Sequence, residues 1–63
     1  MSDILKREYE KSVEKADYLK KELNDLENTL PHDKYNITIT RDRLAYWEGR
    51  SEGLKFALDH VSK

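Results

Sequence analysis

The side chains in this sequence that could do chemistry are two histidines, His32 and His60, one serine set among glycines, Ser51, and three arginines, Arg41, Arg43 and Arg50. A metal site would need the histidines to converge with acids. His32 follows Pro31 in a turn-forming stretch and His60 lies near the C-terminus, so a folded-back chain holds them at opposite ends. Asp59, adjacent to His60, does not share a helix face with it. Ser51 has no His or Asp at helical spacing and reads as a small packing residue rather than a nucleophile. The acid pairs Glu8 with Glu10 and Asp25 with Glu27 fall on a solvated flank, where no pocket sets up a general acid and base. Gly49-Arg50-Ser51-Glu52-Gly53 lacks the preceding strand and the following Lys-Ser/Thr of a phosphate loop. Neither an enzyme nor a bound cofactor or metal is expected.

The arginines, with Tyr46 and Trp47 among them, raise nucleic acid as a ligand. Against it, 12 Lys plus Arg face 13 Asp plus Glu, a net charge of -1 that gives no global field for phosphates. Trp47 also lies on an apolar seam, leaving Tyr46 alone for base stacking. Nucleic acid is therefore disfavoured, and Arg41, Arg43 and Arg50 remain as contacts for a small anion or an acidic partner.

Helices must position these groups. Leu5, Tyr9, Ser12, Ala16, Leu19, Leu23, Leu26 and Leu30 follow one another in alternating steps of four and three, and Leu44, Trp47, Ser51, Leu54, Leu58 and Val61 do the same. Each set is the seam of a helix packed on another. Pro31 ends the first helix. The expected fold is all-α, a coiled-coil-like antiparallel hairpin in a single domain over 1–63. Its first helix spans about 3–30, capped by Ser2 or Asp3. A turn and extended segment follow over 31–39, because Tyr35, Ile37 and Ile39 alternate with polar residues and are rich in β-branching. The second helix spans about 40–61, with Thr40 or Thr38 as its cap and Asp42 in its first turn, although Ile37 and Thr40 also continue its seam backward. Arg41 and Arg43 then sit at a helix start, where the macrodipole disfavours cations. They ask for compensation from Asp42, Glu27, Asp25 or a bound anion. Ser12 and Ala16 are undersized for a seam, and Phe56, Leu58 or Leu54 is expected to fill the space, with Trp47 nearer Leu23 and Leu26.

A second line on the C-terminal helix, Ala45, Gly49, Gly53 and Ala57, steps by four beside Tyr46 and Phe56 and lies roughly opposite the seam. An interior Gly weakens a helix by about 1 kcal/mol relative to Ala, so two of them point to a close backbone approach or a fraying helix. Tyr46, Gly49, Gly53, Phe56 and Ala57 form the candidate interface. A chain of 63 residues buries too little surface to be comfortable alone. With no cysteine, and no metal site expected, association is the remaining support. The hairpin is expected to self-associate into a dimeric four-helix bundle or larger helical oligomer. The candidate interface serves that contact or a host protein. Charged residues interrupt every apolar run, so neither a signal peptide nor a membrane span is expected, and the chain reads as cytoplasmic.

The segment YWEGRSEGLKFAL, with Trp47, Gly49, Arg50, Gly53, Leu54, Ala57 and Leu58 at the matching positions, resembles a Trp-x-Gly-Arg-x-x-Gly/Ala-Leu-x-x-Ala/Val-Leu helix of short phage-encoded proteins. The resemblance implies a phage or prophage accessory protein that binds and inhibits or redirects a host protein. No functional residues carry over from it. In size and architecture, though not in sequence, the plan is also similar to the plasmid copy-control protein Rop.

Overall fold

The computed structural model describes residues 2–61, and it shows two helices packed against each other: α1, Ser2–Thr29, and α2, Lys34–Val61. Asp3 sits in the first turn of α1, where its carboxylate meets the positive end of the helix. The cap expected of Ser2 lies outside the residues whose side chains are described. The two elements are joined by Leu30, Pro31, His32 and Asp33. The Leu30 N–H still donates to the Leu26 carbonyl (2.8 Å), and the Asp33 N–H to the Leu30 carbonyl (3.0 Å). Asp33 then starts α2. Its Oδ1 accepts the Asn36 N–H at 3.3 Å, its Oδ2 accepts the Asn36 side-chain amide at 2.7 Å, and its carbonyl accepts the first helical bond from Ile37. That is an N-cap with its third helical residue tied back to it.

The extended segment expected over 31–39 is therefore a correction: residues 34–39 are helical, and neither Thr38 nor Thr40 is a cap. The alternation of Ile37 and Ile39 loses to the seam spacing of Ile37, Thr40 and Leu44. Those three are the buried residues of α2. β-Branched residues give up only a few tenths of a kcal/mol in a helix, whereas burying one isoleucine side chain contributes about 1.5–3 kcal/mol. Arg41 and Arg43 consequently lie well inside α2, and the macrodipole no longer bears on them.

Moving the start of α2 also moves the register of the hairpin. A nine-residue connection would set Trp47 opposite Leu23; the short turn sets it opposite Ala16, about two helical turns away. Ala16, Leu19 and Leu44 form the buried cluster, and Leu23 and Trp47 pack on it. The undersized Ala16 is thus met by Leu44 and Trp47, while Phe56 lies outside. Leu54 and Leu58 are carried on toward Tyr9 and Leu5. Ser12 is 0% exposed, and its hydroxyl donates to the Glu8 carbonyl at 2.8 Å, so no polar atom is stranded by its burial.

Three exposed ion pairs flank the seam: Glu8 with Arg50 (3.4 Å) on one side, and Lys20 with Glu48 (3.8 Å) and Glu27 with Arg41 (3.6 Å) on the other. Each is worth at most about 1 kcal/mol. They agree with the register set by the turn and the buried seam, and a slip by one turn would break all three. The result is a rod of 47 × 13 × 13 Å. Among the described residues no helix is long and apolar enough to cross a membrane.

Candidate functional site

The chemical side chains stay apart. His32 lies in the turn, and His60 in the last turn of α2, where its ring packs on Phe56 with centroids 4.2 Å apart and its Nδ1 lies 3.1 Å from the Phe56 carbonyl. The Ser51 hydroxyl donates to the Glu48 carbonyl at 2.9 Å. Among the described residues no three His, Cys, Asp or Glu side chains gather as metal ligands. The arginines divide: Arg41 is held by Glu27, one of the acids expected to compensate it, and Arg50 by Glu8. Arg43 lines a groove between the helices with Lys15, Tyr18, Leu19, Glu22 and Trp47. Arg50 also lies over the Trp47 ring at 6.0 Å, near the outer limit for a cation–π contact. Two of the three arginines, and the large aromatic that a nucleic acid would use, are thus engaged within the hairpin, while Arg43 has no ion pair among the described residues.

Four of the five candidate interface residues, Tyr46, Gly49, Gly53 and Phe56, share one exposed side of α2. α1 covers the Ile37, Thr40, Leu44 and Trp47 side of α2, and the helical repeat turns Tyr46, Gly49, Gly53 and Phe56 to the opposite side. Tyr46 is 59% exposed and Phe56 is 66% exposed. Tyr46 sets its ring edge-to-face on Trp47, with centroids 5.2 Å apart, so it is braced from the core side. α2 runs unbroken through both glycines, and a methyl group added to either would meet nothing within 4 Å. The glycines therefore neither fray the helix nor serve a close approach inside this chain. Ala57 departs from the expectation: it is half-buried, on the flank of the face rather than in it.

Two residues of this side were missed by the sequence reading: Tyr35, which is exposed, and Ile39, which is half-buried on the same flank as Ala57. They were hidden because 31–39 was read as extended. The signal was present: Tyr35, Ile39, Asp42, Tyr46, Gly49, Gly53, Phe56 and His60 follow alternating steps of four and three, a second seam along the whole of α2. Tyr35 is the most exposed large hydrophobic side chain among them, at 74%. α1 has no counterpart, for its outer side interrupts Ile4 and Tyr18 with Lys11, Glu14 and Lys15. No protein-family model, curated protein or solved structure matches this chain.

Proposed function

We propose that this chain is a non-enzymatic protein-binding module that works through the outer face of α2. The observation carrying this reading is the second seam, in which Tyr35, Tyr46 and Phe56 stand exposed in a line beside two glycines that the hairpin itself does not use. Rigid aromatics on a helix give contact area at small entropic cost and are the side chains that most often anchor protein contacts. Small residues between them let another backbone come close. The partner chemistry that fits is an apolar helical surface, since every element of the face follows helix-on-helix spacing. The resemblance of the Trp47–Leu58 segment to phage-encoded proteins supplies a setting, an accessory protein that docks on a host protein and alters its activity. Arg43, free of any ion pair among the described residues, would meet acidic groups at the rim.

The test is site-specific photo-cross-linking in the cell that expresses the chain. A photoreactive side chain at Phe56 is expected to give discrete covalent adducts with protein, whereas the same group at Glu14 on the outer side of α1 gives none. Equal adducts from both positions, or adducts from Glu14 alone, would refute the assignment of this face.

A further inference from the structure

The outer seam of α2 has a size pattern that selects its occupant. We infer that it is closed by the same face of a second copy of this chain, with the two α2 helices antiparallel along their full length. The inference rests on reading this face as a protein-contact surface and names what covers it.

Area sets the requirement. The hairpin exposes 5194 Å², against about 4,200 Å² for a compact folded chain of its 7.5 kDa mass. Its radius of gyration of 14.3 Å likewise exceeds the roughly 11 Å of a compact chain of this length. The excess, about 1,000 Å², is close to the ~800 Å² that each partner loses in a stable standard-sized interface. An interface with one second copy would remove area of that order, and the exposed Tyr35, Tyr46 and Phe56 mark the outer side of α2 as the place for it.

Orientation follows from side-chain size. In a parallel pair each residue of the seam meets itself, so Tyr46 falls on Tyr46, Gly49 on Gly49, Phe56 on Phe56 and the Asp42 carboxylates on each other. Large groups collide, gaps coincide, and like charges face. In an antiparallel pair that overlaps Lys34–Val61 completely, Tyr46 falls over Gly49 of the second copy, Ile39 over its Phe56, Tyr35 over its His60, and Asp42 over its Gly53. Tyr46 meets a glycine on each side of the two-fold axis, the Asp42 carboxylates are kept apart over glycines, and the self-complementary pattern closes after two chains. Arg50 lies beside that axis, its charge already held by Glu8. Because the two seams lie on opposite sides of α2, the product is a layer of four helices with both α2 in the middle and α1 at each edge. It replaces the closed four-helix bundle expected from the sequence alone.

The chain has no cysteine, so thiols can be introduced at will. Equilibrium sedimentation is expected to give twice 7.5 kDa. An equimolar mixture of Tyr35→Cys and His60→Cys chains is expected to form the mixed disulfide on oxidation, whereas Tyr35→Cys alone forms none. A parallel pair would reverse that result, since it places these positions roughly 37 Å apart at 1.5 Å per residue. Gly49→Leu, which the hairpin accommodates in open space, should weaken the dimer at least about tenfold with helicity retained. A monomer at the highest soluble concentration, a Tyr35→Cys self-disulfide, or a dimer indifferent to Gly49→Leu would each overturn the pairing. Adducts between Phe56 and a different protein, from a chain that stays monomeric, would leave the protein-binding reading standing and remove only this occupant.

Discussion

Ile37, Thr40 and Leu44, on the inner face of α2, are each no more than 9% exposed, while Tyr35, Tyr46 and Phe56, repeating at the same spacing on its outer face, are between 59% and 74% exposed. One helix thus carries two seams and its own chain covers one. The difference does not lie in local propensity, because both faces belong to one continuous helix and both contain large apolar residues. It lies in α1, which offers a single apolar line, so only one side of α2 finds a surface to pack on. Spacing alone reveals a line of residues along one side of a helix; whether it is buried depends on what the rest of the chain supplies.

The sharpest way to break the comparison is to truncate one side chain on each face. Leu44→Ala removes a core residue and should destabilise by about 2–5 kcal/mol. In a hairpin with so small a core that is expected to abolish most helical circular dichroism. Phe56→Ala, a larger truncation by volume, should leave the helicity of the hairpin unchanged and remove association instead. Equal loss of helicity in both would show that the two faces are not distinct. The glycines should give the next largest change, with the opposite sign. Gly49→Ala and Gly53→Ala lie in open space within α2 and should each stabilise the dissociated hairpin by about 1 kcal/mol. Melting of dilute samples would show this as a rise of about 4–8 °C per substitution. A fall there would mean that these positions already pack inside the chain. Asp33→Ala should cost about 1 kcal/mol and speed amide exchange in the first turn of α2. That exchange pattern would check that residues 34–39 belong to the helix carrying both faces. The smallest effect is expected from Glu27→Gln, which breaks an exposed pair with Arg41 and should change stability by less than about 1 kcal/mol, less still at high salt.

The inner seam was legible in the sequence nearly residue by residue, from Leu5 to Leu26 and from Leu44 to Leu58, because long runs of three-four spacing admit one structure. The turn was not. Ile37 and Ile39 satisfy both a strand alternation and a helical seam, and only burial against α1 decides between them. That single ambiguity propagated. It shifted the register by about two turns, misplaced Trp47 and Phe56, and hid Tyr35 and Ile39 from the outer face. Asp33 as the cap was visible in principle, since it stands after Pro31 and three residues before Asn36, which it binds. Of the outer face, Tyr46, Gly49, Gly53 and Phe56 were found from their positions opposite the seam. Ala57 was included because a stripe of four-residue steps drifts around the helix and carries its last member back toward α1.

The claim that the outer face of α2 pairs with a second copy of this chain can be tested most directly by hydroxyl-radical footprinting of the purified chain over a range of concentrations. Tyr18, at 65% exposure on α1, serves as the internal reference for Tyr46 and Phe56, which match it closely within one chain. Tyr46 and Phe56 should be protected relative to Tyr18 at high concentration and approach its reactivity on dilution. Labelling of all three at the same rate, at every concentration, would contradict it.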